Sequence, residues 1–278
     1  MSTLSAGAQG PEVKILQRDL SFLGYNTGID GDFGNGTESS VTQFQTDQGL
    51  EADGVAGPNT WTALDNSVPQ GIDISHHNGN INWDNRSPHL QFVYCKASQG
   101  STFTDPMFQT YIAGLKQRQI INGAYHFLTF QDSAESQADN FLNCGLDFSA
   151  PGTLPPALDI EEQVPDSLNP FILHSRAACI QLISDWLQLV TDRTGRTPVI
   201  YTYKSFWSEY LGNPTQFGNY PLWIASYQVN PPGLPPGWDD YTIWQYFGAQ
   251  DDASQTDQNL VKGGIAALKK LALMDGGV

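Results

Sequence analysis

From Gly71 onward the chain repeats one unit, a short apolar run followed by a stretch with helical spacing. The first runs are GIDIS (71–75), FVYCKAS (92–98), INGAYHFL (121–128), PPALDIE (155–161) and TPVIYTY (197–203). Helical stretches lie between the early ones, at roughly 105–119, 133–146 and 171–193. Ala138, Phe141 and Leu142 share one face of the second, and Cys179, Ile183, Trp186 and Val190 form the stripe of the third. Strands alternating with helices of this length predict an α/β fold, a parallel sheet closing into a barrel. PLWIASY (221–227), TIWQYF (242–247) and a short piece near Asp257 follow too closely for full helices between them. The barrel is therefore expected to be irregular in its last third.

The first 65 residues follow another pattern. Val13, Leu16, Leu20 and Leu23 recur at helical spacing, in a helix ending at Gly24. Val41 and Phe44 mark a second helix, and Pro58 suits the first turn of a third that buries Trp61 and Leu64. The expected organisation is a small all-α three-helix domain (1–65), a linker (66–70) and a barrel domain (71–278). So small a helical unit has a thin core of a few apolar anchors.

The formal charge of −16 narrows the choice of partners. A phosphate backbone requires a Lys/Arg footprint, and anionic membranes do too, so neither nucleic acid nor membrane is expected. No apolar run reaches bilayer length, and MSTLSAGAQG lacks the regions of a signal peptide. Synthesis in the cytoplasm is expected, or an extracellular enzyme if the chain is a trimmed mature form. Cys95, Cys144 and Cys179 form no CxxC pattern and are expected as reduced thiols, although a Cys144–Cys179 bridge is conceivable.

The chemistry is carried by carboxylates at strand ends. Barrel enzymes place their sites there, and Asp73, Asp159, Glu161 and Asp257 all fall near such ends. Side chains two apart on a strand share a face, so Asp159 and Glu161 point inward while Leu158 and Ile160 pack against helices. Carboxyls crowded into one partly apolar mouth cannot all ionise, which leaves an acid able to donate a proton near neutral pH. Glycoside cleavage needs that donor beside a second negative charge. Tyr125, Tyr201, Trp223, Tyr227 and Trp244 lie near strand ends and offer aromatic faces for sugar rings.

Rival chemistries are weaker. DGDF (30–33) has Gly34 and Asn35 where a calcium loop needs an oxygen ligand and the turn glycine. His76 and His77, read as neighbours on a strand, point to opposite faces, which makes joint chelation of zinc awkward. His126 reads as a hydrogen-bonded structural residue, and no GxSxG elbow supports serine chemistry. No metal or cofactor is expected.

GIDISHHNGNINW, FVYCKASQGSTFTDPMF, GAYHFL, LPPALDIE, TPVIYTYKSFW, PLWIASY, IWQY and TDQN, in that order, resemble glycoside hydrolase family 25, the Chalaropsis-type lysozymes. The resemblance spans 71–270. It implies an irregular barrel of about eight strands and five helices that hydrolyses the β-1,4 bond between N-acetylmuramic acid and N-acetylglucosamine. It further implies Glu161 as general acid, with Asp159 as nucleophile or as the group orienting the substrate's 2-acetamido. Asp73 and Asp257 would be supporting carboxylates, and Tyr125 and Trp223 would line the groove. Many members carry small or aromatic residues where His76 and His77 stand.

GPEVKILQRDLSFLGY, DGDFGNGTESSVTQFQ and GLEADGVAGPNTWTAL resemble the bacterial three-helix peptidoglycan-binding domain. Bacterial cell-wall peptidoglycan is then the expected partner of a monomeric enzyme, and tethering raises its effective concentration at an insoluble substrate. The Met1 start without an export signal fits a phage endolysin released by a holin. A wall-binding protein without activity and a chitinase-like glycosidase are the alternatives.

Overall fold

The computed structural model describes residues 1–85, 90–163, 165–227, 232–248 and 256–274. Helices α1 (Pro11–Phe22), α2 (Asn35–Asp47) and α3 (Pro58–Ser67) form the first unit. Prolines open α1 and α3, where the missing N–H costs no helical hydrogen bond. Val13, Leu16 and Leu20 meet Val41 and Phe44, with Trp61 and Leu64 closing the cluster.

Two buried glutamines hold the turns between these helices in the same way. The Gln17 amide donates to Asp30 Oδ1, the Asp32 carbonyl and Thr37 Oγ1, and its carbonyl accepts from the Gly31 N–H. Gln45 repeats this with Asp53, Val55, Thr60 and Gly54. Gly31 and Gly54 have φ of 85° and 72°, the left-handed region that glycine enters without steric cost. Asp30 and Asp53 accept the backbone N–H two residues on, which lowers their pKa values. The carboxylates of DGDF thus serve turn geometry.

The second unit is a closed barrel. Its staves are β1 (Gln70–Ile74), β2 (Leu90–Gln99), β4 (Ile121–Phe127), β5 (Ala157–Asp159), β6 (Val199–Tyr203), β7 (Leu222–Ala225), β8 (Ile243–Phe247) and β9 (Asp257–Val261). The two-residue β3 (Phe103–Thr104) pairs with the end of β2. Neighbouring staves are parallel from β1 through β8, whereas β9 runs antiparallel to both β8 and β1. Connecting helices are α4 (Phe108–Gln117), α5 (Ala134–Leu142), α6 (Asn169–His174), α7 (Arg176–Thr194), α8 (Lys204–Glu209) and α9 (Gly264–Leu271). The stretch expected as one helix over 171–193 is broken at Ser175 into α6 and α7; taken together, they bring the barrel's helices among the described residues to the expected five.

Strand alternation sorts the core into two layers. Phe92, Tyr94, Ala157, Val199, Tyr201 and Trp223 fill the barrel interior. Val93, Cys95, Leu158, Ile160, Ile200 and Ile224 face the helices. The interior is so full that a Cβ on Gly71 would lie 2.3 Å from the Phe92 ring. Cys95, Cys144 and Cys179 are buried and unbridged. No described helix is long and apolar enough to cross a membrane.

No helix joins β7 to β8 among the described residues, which leaves the outer face of β8 open. The three-helix unit covers it: Phe22 of α1 stacks on Trp244 at 6.0 Å and 18°, and lies 6.1 Å from Tyr241. The Arg18 guanidinium sits 4.7 Å over the Tyr246 ring. The stretch 66–70, expected as a linker, is taken up by the end of α3 and the start of β1, and Val68 between them is buried in the outer core.

Candidate active site

Asp73 and Asp257 face each other across the β1–β9 pair. Both were expected near C-terminal strand ends. Asp257 instead opens β9, and because β9 is antiparallel its beginning reaches the same mouth as the end of β1. Asp73 accepts from Gln245 Nε2 and Asn259 Nδ2, each at 2.8 Å, and shares a hydrogen bond with Asp257. Burial first, then the charge of Asp257, pushes its pKa up to about 8 against those two donors.

Asp159 is the last residue of β5 and is buried. Glu161 lies just beyond the strand, which ends two residues before the PPALDIE pattern does. Ile160 still donates to the Tyr201 carbonyl at 2.9 Å, so the inward alternation continues to Glu161. The Gln163 amide donates to the Leu128 and Glu161 carbonyls and fixes the turn that follows. Burial raises the Glu161 pKa to about 7, with Asp257 and Glu162 adding to the rise and the Lys96 ammonium opposing it. Burial and then the Glu161 charge push Asp159 well above the usual carboxylate range, again against Lys96. Asp159 Oδ1 is buried without a hydrogen-bond partner among the described residues.

Lys96 escaped the sequence reading, although a lysine within FVYCKAS was its signal. It is buried on the inner face of β2, donates to Gln99 Oε1 at 2.7 Å and lies 4.7 Å over the Phe127 ring. Burial lowers its pKa, and the charge of Asp159 leads the groups that oppose this. Gln245 and Asn259 were also missed, being amides that only the closed barrel brings to Asp73.

The aromatic candidates divide. Tyr201 and Tyr227 line a cleft of about 640 Å³ with Glu161 and Tyr203, and both donate to Gln245 Oε1 at 2.9 Å. Tyr125 is half-buried on the inner face of β4. Trp223 also points inward but is buried; its Nε1 donates to Asn259 Oδ1 at 2.7 Å, so it supports the amide that holds Asp73 rather than presenting a face to a sugar. Trp244 is not in the site. It alternates with the inward Gln245 and therefore points outward beneath Phe22.

His76 and His77 are in a 3-10 turn after β1, not on a strand, and their rings lie 4.0 Å apart. His76 Nδ1 pairs with the buried Asp105 at 2.8 Å. His126 faces outward, bonded to Ser98 and Gln137 and stacked on Trp186. Burial depresses its pKa to about 3, so it is neutral and structural. Among the described residues no group of three or more His, Cys, Asp or Glu side chains is placed to hold a metal ion.

A barrel with paired carboxyls at one mouth fits many hydrolases, so comparison with known proteins decides the family. The model of glycosyl hydrolases family 25 matches residues 72–254. The chain belongs to that family. A model described as a putative peptidoglycan binding domain matches residues 9–64. The chain is 34% identical over 258 residues to lysozyme M1 of Streptomyces globisporus, covering 87% of this chain and 83% of that one. It is 35% identical over 215 residues to N,O-diacetylmuramidase of Chalaropsis sp, covering 73% and 98%. The solved muramidase of Acremonium alcalophilum superposes with a TM-score of 0.66 at 34% identity, over 74% of this chain and 99% of the other. This family 25 member is therefore a glycoside hydrolase, and Asp73, Asp159, Glu161 and Asp257 form its candidate reaction centre.

Proposed function

We propose that the protein is a peptidoglycan muramidase, hydrolysing the β-1,4 bond between N-acetylmuramic acid and N-acetylglucosamine. The observation that carries this is Glu161, a carboxyl set in a tyrosine-lined cleft beside Asp159 on the same inward face, its pKa raised by burial to about 7. Family membership and the muramidases among its relatives support the choice of bond.

Glu161 donates its proton to the leaving glycosidic oxygen as the bond to the anomeric carbon breaks. Asp159 is too buried to be an open nucleophile, and its unpartnered Oδ1 suits an N–H donor. It accepts from the substrate's 2-acetamido N–H and turns the acetamido oxygen onto the anomeric carbon. Water then attacks that carbon, displacing the acetamido oxygen and giving up its proton to Glu161. Asp73, held by Gln245 and Asn259, shares one proton with Asp257, and the single negative charge left on that pair faces the developing positive charge. Residues 1–65 form the wall-binding unit, and 71–278 the catalytic one.

Digestion of purified peptidoglycan, borohydride reduction and mass spectrometry test the reading. Muramitol at the new ends is expected. Glucosaminitol ends would mean a different glycosidic bond, and freed peptides alone would refute glycosidase action on the wall.

A further inference from the structure

Two hollows meet at one side chain. Tyr227, just past β7, lines the cleft that holds Glu161 and also a second hollow of about 640 Å³. The second lies in the seam between the units. Lys14, Ile15 and Arg18 of α1 line one side of it, and Tyr227, Tyr246 and Phe247 the other. Tyr227 is held in place: its hydroxyl donates to Gln245, and its ring lies so close over Gly248 that a Cβ there would sit 2.5 Å from Cζ. At 53% exposure the ring nevertheless keeps an open face.

The lining is chemically selective. Aromatic rings and Ile15 supply apolar faces of the kind that sugar rings cover, with a few polar groups to set orientation. Arg18 is already engaged by Asp19 and the Tyr246 ring. Lys14 feels the charge of Asp30, whose pKa it helps to lower, but it forms no close ion pair among the described residues, and it stands at this hollow in a chain with 13 basic against 29 acidic residues. Its charge is complementary to an anionic group on an incoming ligand.

We propose that the seam is a distal subsite for the strand being cut, built jointly by both units. The uncut part of the glycan passes from Glu161 over Tyr227 into the seam, and the Lys14 ammonium takes a carboxylate of the attached stem peptide. The three-helix unit then adds to the substrate groove directly, besides anchoring the enzyme to the wall. Binding energy from sugars remote from the reacting bond thereby becomes available to the reaction. This extends the muramidase reading and rests on it.

The test compares two soluble substrates, a short peptide-free tetrasaccharide of the wall glycan and long strands carrying stem peptides. Lys14→Glu and, separately, Phe247→Ala should lower kcat/KM on the long strands about tenfold through KM, the scale of one lost charge-assisted contact. The tetrasaccharide should be cut as before. Lys116→Glu, an equal charge change on the exposed side of α4, should alter neither. Lys14→Gln gives the same comparison should the reversed charge disturb folding, with the thermal midpoint as the check. Equal losses on both substrates, or none on the long strands, would overturn the subsite and leave the muramidase reading standing. A wild-type protein that cuts neither substrate would remove both.

Discussion

Phe22→Ala probes the seam between the two units. Phe22 is the last residue of α1 and only 4% exposed, with its ring against Trp244 and Tyr241. Truncating a buried Phe to Ala costs about 3–5 kcal/mol. A loss of about 3 kcal/mol should lower the midpoint of a domain this size by roughly 6–12 °C. Scanning calorimetry on the full chain reads this directly, and tryptophan fluorescence should report wetting of Trp244. In the wild type the two units should melt together. An unchanged midpoint in the variant would refute this and return the helical unit to a loosely tethered module.

Glu161→Gln should lower the rate at least ~10²-fold, the scale of a lost general acid, with the fold intact by circular dichroism. The same variant tests linkage: Glu161 has a folded pKa of about 7 against an ordinary 4.5, so the folded state keeps a proton that the unfolded chain releases in between. Wild-type stability therefore loses ground from this group as pH rises from 4.5 to 7, and the variant's midpoint should gain on the wild type over that window. Activity should fall above about pH 7, where the acid loses its proton. Lys96→Met removes the ammonium that holds both Glu161 and Asp159 down, so the pH–rate profile should move to higher pH; an unmoved profile would take Lys96 out of the site's electrostatics.

Much of this protein could be read along the chain. Apolar runs alternating with helical stripes specify a barrel because backbone periodicity is local, and Asp159 and Glu161 share a face because side chains alternate on any strand. Leu158 and Ile160 face the helices, and His126 is structural, for the same reason. The three-helix unit was legible from its two DG turns, each organised by a glutamine of the preceding helix.

What tertiary structure decided was which side chains meet across strands far apart in sequence. Gln245 and Asn259 reach Asp73 only because the barrel closes, and Asp257 joins them only because β9 reverses direction. Trp244 looked like a sugar platform because aromatic residues near strand ends often are. Its face is set by the inward Gln245 beside it, and its burial by a helix more than two hundred residues earlier. Local pattern determines each element and the face each side chain takes. Closure of the sheet and the seam with α1 determine which of those faces become active site, which become core, and how deeply each charge is taken out of water.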